Sequence, residues 1–261
     1  ASVTTLTLDS TTDFETAGTV TIGSEQVTYT GKSATELTGC TRGANSTTAA
    51  THSDGAVVTR TKKWYDITRA SGAYSATAAE NWTATVIGGV LIMTNKVDDP
   101  QYWALAAGVP ATAQKMQDLN NWPASTECKS MRSFRSFLVA LNVTKSSVNY
   151  PRVVKWSTEA AIQTTPTSWD ETSATVDAGE YELADSKGEI LDGLQLEDNF
   201  MIYKEDSIYS MQYVGTPFIF SFRQISPTIG AIAKNCVAEF PGGHAIFGNG
   251  DFYINDGRTI K

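Results

Sequence analysis

The residues with reactive side chains are few, and their spacing limits the chemistry open to them. Glu189, Asp192, Glu197 and Asp198 crowd into one short stretch. Paired carboxylates about 5 to 9 Å apart carry the acid and nucleophile or base roles of glycoside hydrolysis. A carboxylate-rich segment between strands also reads as a solvated loop. His52 and His244 are the two histidines, too few and too far apart for a zinc centre, where several N or S ligands converge at about 2 Å. His52, in a Ser-Asp-Gly context, reads as a solvent-facing turn residue, and His244 as the capped start of an apolar strand. Asp98-Asp99, Asn249-Gly250-Asp251 and Asn255-Asp256-Gly257 offer oxygen ligands of the kind calcium takes, but not at EF-hand spacing. Asn-Gly and Asp-Gly are also preferred hairpin turns.

The remaining motifs exclude more than they assign. Thr30-Gly31-Lys32-Ser33 ends like a P-loop but has no glycine at the required upstream position. Neither histidine lies near a Gly-x-Ser-x-Gly turn, so no Ser-His-Asp set is placed. Cys40, Cys128 and Cys236 lie far apart and read as reduced packing residues. No catalytic, cofactor-binding or metal-binding residue is assigned, no cofactor is expected, and the chain is not expected to be an enzyme.

The elements that would hold these residues are strands. Between Thr19 and Thr59, Val20 and Ile22 alternate, as do Val27 and Tyr29 beyond the turn Gly23-Ser24-Glu25, which predicts a hairpin. Gly31, Gly39, Gly43 and Gly55 fall where β-runs stop and suit tight turns. After Arg60 short, bulkier apolar runs take over: Trp82 to Val86, Val90 to Met93, Phe134 to Asn142, Arg152 to Trp156, Phe200 to Tyr203, Ile208 to Tyr213, Phe218 to Phe222, His244 to Phe247 and Asp251 to Ile254. Almost no window repeats at helical spacing. Residues 1–60 are therefore predicted to form a small β-hairpin-rich module and residues 61–261 a second, larger all-β domain.

That second domain repeats one pattern: an apolar strand, a tight polar turn, then a strand with aromatics. It occurs in SFLVALNVTKSSVNYPRVVKW, NFMIYKEDSIYSMQYVG and HAIFGNGDFYINDG, and more weakly in GGVLIMTNKVDDPQYWAL. The apolar strands start near Val90, Phe137, Phe200 and Ala245, about 45 to 63 residues apart and near the ~40–50 of propeller blades. The polar stretch Thr158 to Ala184 reads as a loop carried on one blade. The expected fold is all-β, a β-propeller-like domain with small apolar innermost strands beside the small β module. Because the last copy runs to Lys261, the propeller is expected to be incomplete in this chain or completed by a partner, since open sheet edges invite aggregation. Of the aromatics, Trp64, Trp82, Trp103, Trp122 and Trp156 are expected mostly in the core, with Trp169 as a candidate interface anchor.

Composition restricts the partners. The 261 residues are 41% hydrophobic, 10% aromatic and 18% charged, which suits an ordered chain with a sizeable core. The longest apolar run, Val86 to Met93, has eight residues, far short of the roughly twenty of a membrane helix, so no membrane span is expected. Twenty basic against 28 acidic residues give a net charge of −8. That balance disfavours gripping phosphates and is compatible with a passage along which DNA slides.

Two stretches resemble tail proteins of bacteriophages. IGSEQVTYTGKS, LTGCTRG and TTAATHSDGAVV, about a sixth of the chain, resemble a small β module recurrent in tailed-phage tail proteins. LEDNFMIYKEDSIYSMQYVG, FRQISPTIGAIAKNCV and GGHAIFGNGDFYINDG resemble the tail nozzle or hub propeller of short-tailed phages, matched at Asp206 to Tyr209, Gln224 to Gly230 and Ala245 to Gly257. The resemblance implies a virion structural protein of the phage tail, assembled in the host cytoplasm. It further implies six identical subunits in a ring at the distal end of the tail tube, contacts to tail adaptor and tail fibre proteins, and phage DNA passing through unspecifically during ejection. It brings no catalytic residues. The β module preceding the propeller pattern departs from the family, and a protein with this order is a nozzle carrying an added β module or a fibre-attachment or baseplate protein with a hub-like part. The competing readings are a tail fibre or receptor-binding protein that recognises host glycan, and a glycan-degrading propeller enzyme.

Overall fold

The computed structural model describes residues 3–61, 66–69, 72–77, 79–104 and 114–261. Among them there is no helix, every regular element is a strand, and the sheets are antiparallel, small and unclosed. The chain divides into two compact units, one running to Asp66 and the other beginning at Ile67.

The first unit has two three-stranded sheets. One runs β1 (Thr5–Thr7), β5 (Glu36–Thr38), β4 (Gly31–Lys32), and the other β3 (Glu25–Tyr29), β2 (Gly18–Ile22), β6 (Val58–Arg60). Ile22 pairs with Glu25, so Gly23 and Ser24 form a two-residue turn in which Gly23 has φ +58°, a region that glycine enters without steric cost. Val20, Val27 and Leu37 are fully buried between the strands. Gly31 lies inside β4 rather than in a turn, and a Cβ there would stand 2.7 Å from the Thr38 hydroxyl.

The second unit is a succession of four meanders, in each of which spatial order equals chain order. The first sheet comprises β7 (Thr83–Ile87), β8 (Val90–Thr94), β9 (Gln101–Trp103) and β10 (Gln117–Asp118). The second comprises β11 (Thr126–Phe134), β12 (Phe137–Lys145), β13 (Val148–Trp156) and β14 (Gly179–Glu182). The third comprises β15 (Ile190–Leu196), β16 (Asn199–Lys204), β17 (Ile208–Gly215) and β18 (Ile219–Ser226). The fourth has β19 (Val237–Phe240), β20 (Gly243–Phe247) and β21 (Phe252–Asn255).

The four apolar runs that mark the repeat are the second strands of these sheets, and the two central ones are buried on both faces because each divides its side chains between two cores. In β12, Val139 and Leu141 point into the core shared with the third sheet, whereas Leu138 and Ala140 point into the core shared with the first. In β16, Phe200 and Ile202 face the second sheet while Met201 and Tyr203 face the fourth. Period-two alternation in a strand apolar at every position thus stacks sheet on sheet.

Three expectations are corrected. Phe134 to Asn142 is not one strand: Phe134 pairs with Phe137, and Arg135-Ser136, with Arg135 at φ +52°, make a hairpin turn without the usual Gly or Asn. Thr158 to Ala184 is not only a loop, since it returns as β14 to complete the second sheet. Small apolar innermost strands are not seen: the strands that approach one another across the stack are the leading ones, β7, β11, β15 and β19, and the facing groups of β7, β11 and β15 are largely polar.

Replacing Phe200, fully buried between two sheets, by Ala is expected to destabilise the second unit by about 3–5 kcal/mol. Phe252→Ala, at a side chain 74% exposed, is expected to cost less than about 1 kcal/mol. Urea unfolding followed by tryptophan fluorescence measures both.

Candidate functional site

Two fully buried carboxylates, one in each unit, organise the polar interior. In the first unit Glu25 follows the β2–β3 turn, and its side chain has no solvent exposure. Oε1 accepts from Arg42 Nε at 2.6 Å and from the Gly43 amide at 3.0 Å. Oε2 accepts from Arg42 Nη2 at 2.5 Å and the Ala50 amide at 3.1 Å, and lies 2.8 Å from His52 Nε2. The Arg42 guanidinium, followed by the backbone and imidazole donors, outweighs the opposing effect of burial and holds the carboxyl well below the ordinary 4.5. His52 is therefore a ligand of a buried anion rather than a solvent-facing turn residue. Each of the three phrases that resemble the phage tail module supplies part of this network: Glu25 from the first, Arg42 and Gly43 from the second, Ala50 and His52 from the third.

In the second unit the equivalent centre is Asp192 on β15. Arg132 on β11 grips it bidentately, Nε to Oδ1 at 2.9 Å and Nη2 to Oδ2 at 2.6 Å. Ser130 Oγ at 2.7 Å, the Gly193 amide at 2.9 Å and the Asn235 amide at 3.2 Å complete its partners. Arg132 Nη1 also donates to the Ala84 carbonyl of β7 at 2.8 Å, and Asn235 Nδ2 donates to the Trp82 carbonyl at 3.2 Å. One carboxylate and one guanidinium therefore connect the leading strands of the first three sheets with the segment that enters the fourth. Around them Lys129 binds Glu189 at 2.5 Å, Asn142 Nδ2 reaches the same carboxylate at 2.8 Å, and Lys234 donates to the carbonyls of Lys129 and Asn81. Burial pushes the Lys234 ammonium below its usual value. Of the carboxylates considered for glycoside cleavage, Glu189 and Asp192 belong to this network, and Glu197 and Asp198 are the turn residues between Leu196 and Asn199.

The other candidates are likewise engaged. His244 on β20 is fully buried and is not a strand cap at the surface. Its Nε2–H donates to the Gln195 carbonyl at 2.9 Å, leaving Nδ1 to accept from the Tyr203 hydroxyl at 2.7 Å, which itself accepts from Asn255 Nδ2 at 3.2 Å. Burial pushes the imidazole below 6.5. Asp98 accepts from the Ser75 amide at 2.9 Å and from Asn95 Nδ2 at 2.8 Å. Burial raises its pKa, but these bonds and the Ala76 amide outweigh it, and the net direction is down. Asp256 closes an Asx turn onto the amides of Arg258 and Thr259, which bring it to about 2. Asp251 accepts from the Phe252 amide at 2.8 Å. Lys32 donates to the Thr11 and Phe14 carbonyls. Among the described residues no three His, Cys, Asp or Glu side chains are arranged to hold a metal.

Cys40 and Cys128 are buried thiols, Cys128 pushed up to about 12 by burial, and Cys236 is half-buried. Trp169 is 2% exposed and meets Trp122 edge-on at 4.7 Å, which makes it a core residue and not an interface anchor. Trp64 lies outside the described residues. No protein-family model and no curated protein matches this chain.

Asp192→Ala would leave Arg132 buried without its anion and is expected to destabilise the second unit by about 3–5 kcal/mol; urea unfolding measures it. The two depressed pKa values give two acid windows. Neutral His244 contributes stability that is lost as pH falls through 6.5 toward its lower folded value, while the Glu25 contribution persists until pH falls below 4.5. Hydrogen exchange resolved by peptide is expected to show β19–β21 loosening at higher pH than β2–β3, with Glu25→Gln weakening the first unit at neutral pH.

Proposed function

We propose that this chain is a structural component of a short-tailed bacteriophage tail, part of a nozzle or hub ring of identical copies that lines or closes the DNA passage and contacts neighbouring tail proteins. The observation that carries this reading is the run of consecutive antiparallel meanders stacked face to face through shared cores, which is what a propeller reading would require of its blades. The phrases that resemble the nozzle family fall at structural positions that support it. Asp206 to Tyr209 spans the β16–β17 turn, Gln224 to Gly230 leaves β18, and Ala245 to Gly257 contains β21. The buried carboxylates are engaged in holding sheets and turns together, so the role is mechanical. A net charge of −8 lets DNA slide past without being held.

One observation favours a second reading, a tail fibre or receptor-binding protein. Tyr181, half exposed, lies parallel on Phe222 at 4.7 Å, an aromatic platform of the kind on which a sugar ring stacks. A glycan-degrading enzyme has less support, because Asp192 and Glu189 are held by cations.

Electron microscopy of the purified protein is expected to show six-fold rings with a central pore. Threefold rods would replace the nozzle by the fibre. Incubation with capsular polysaccharide is expected to give neither cleavage nor tight binding; cleavage would overturn the structural role, and tight binding without cleavage would favour the receptor reader.

A further inference from the structure

One group of side chains beside the Arg132–Asp192 pair carries more reactivity than holding sheets together requires. The pairings of Cys128 with Val143 and of Ser130 with Leu141 place Lys129 of β11 opposite Asn142 of β12. Both side chains end on one carboxylate. Lys129 Nζ donates to Glu189 Oε1 at 2.5 Å, and Asn142 Nδ2 donates to Glu189 Oε2 at 2.8 Å. Nδ2 also donates to the Ile190 carbonyl at 3.1 Å, which orients the carboxamide, while Asn142 Oδ1 is buried with no hydrogen-bond partner among the described residues. Asn142 is 1% exposed, and the side chains of Lys129 and Glu189 are 16% and 29% exposed, so water has little access to the group. A buried carboxamide whose oxygen is unsatisfied is a poor choice for a purely structural position and calls for another role.

We propose that Lys129 and Asn142 join in a spontaneous intramolecular isopeptide bond, with Glu189 carrying the protons. Lys129 Nζ attacks Cγ of Asn142, so that the Nζ–Cγ bond forms and the Cγ–Nδ2 bond breaks. Nζ begins as an ammonium with three protons and ends as an amide N–H with one. The two protons it sheds pass over the Glu189 carboxylate to Nδ2, which departs as ammonium and leaves the carboxylate ionised as before. No oxidant, reductant or second molecule is consumed. An amine does not displace an amide nitrogen in dilute solution, but neighbours fixed in reacting geometry behave as if at very high concentration. Glu189 meets the requirement on a general acid–base, since its two oxygens lie within hydrogen-bond reach of the nitrogen that gives up protons and of the nitrogen that takes them. Burial raises the Glu189 pKa, the bonds from Lys129 and Asn142 outweigh it, and the net direction is down, so the carboxylate rests ionised and able to accept a proton. The product ties β11, the strand of Arg132, to β12, the strand that serves two cores. Such a link restricts the unfolded chain as a disulfide does, and it forms in a reducing compartment where the free cysteines of this chain would not pair.

This inference concerns a single chain and does not rest on the phage-tail reading. Mass spectrometry of the denatured full chain is expected to give the mass of the sequence less one ammonia. Trypsin cannot then cut after Lys129, and residues 116–132 are expected to appear joined to residues 136–145. Lys129→Arg, which keeps a cation beside Glu189 but cannot form the amide, and Glu189→Gln, which cannot take a proton, are each expected to restore the full sequence mass. A wild-type chain at full sequence mass overturns the inference whatever the variants do. An ammonia loss that maps to a different asparagine, such as Asn249 before Gly250, or one that persists in Lys129→Arg or Glu189→Gln, overturns it as well.

Discussion

The bidentate contact between Arg132 and Asp192 is the constraint on which the second unit depends. Removing both ions from water costs several kcal/mol each, and a pair in that position is stable only when its remaining hydrogen-bonding capacity is filled. Here it is filled by groups from successive sheets: Ser130 beside Arg132, the Ala84 carbonyl from the first sheet, Gly193 on the strand of Asp192, and Asn235 on the approach to the fourth. Each of these donors and acceptors is directional, so the leading strands can satisfy the pair in one mutual arrangement. Apolar burial supplies most of the attraction between the sheets, but it is indifferent to small slips of one face over another.

The first unit solves a smaller version of the same problem. A module of short strands buries little apolar surface, and its long connection between β5 and β6 has few regular hydrogen bonds to fix it. Glu25 replaces them by drawing Arg42, Gly43, Ala50 and His52 to one point. A carboxylate immediately after a tight hairpin turn is well placed for this, because the Ile22–Glu25 pairing holds its backbone in place.

How much of this was legible from sequence depended on range. The four apolar runs at Val90, Phe137, Phe200 and Ala245 identified the second strand of every sheet; in the two central ones, β12 and β16, burial on both faces removes the polar alternation over a length visible in any window. The turn at Arg135-Ser136 was hidden because neither residue is a usual turn former, and β14 because it lies beyond a long polar excursion from β13. His52 and His244 were misread for a related reason: their partners lie 27 and 41 residues away, and a side chain that bonds across such a distance leaves no periodic trace. Asp192 carried the opposite ambiguity. Its local company of carboxylates suggested a solvated loop, whereas a cation 60 residues earlier holds it as a fully buried, paired group.

The division of labour between leading and second strands explains why the polar and apolar halves of each meander are both needed. If the strands that approach one another across the stack were apolar, as the sequence reading expected of innermost strands, the contacts between sheets would have nothing to set their order or rotation. Placing Thr85, Ser133, Arg132 and Asp192 there makes the contacts between leading strands specific, and placing Phe200, Ile202, Val139 and Leu141 on the second strands makes them strong. A polar network that is fully satisfied specifies a single packing, while one left half satisfied is worse than an apolar core. The bulge at Asn142, between Leu141 and Val143, belongs to this scheme. It turns the Asn142 amide toward Glu189 and the Ile190 carbonyl at the cost of a two-residue shift in register against β13, so that a strand otherwise devoted to two apolar cores also contributes to the polar network.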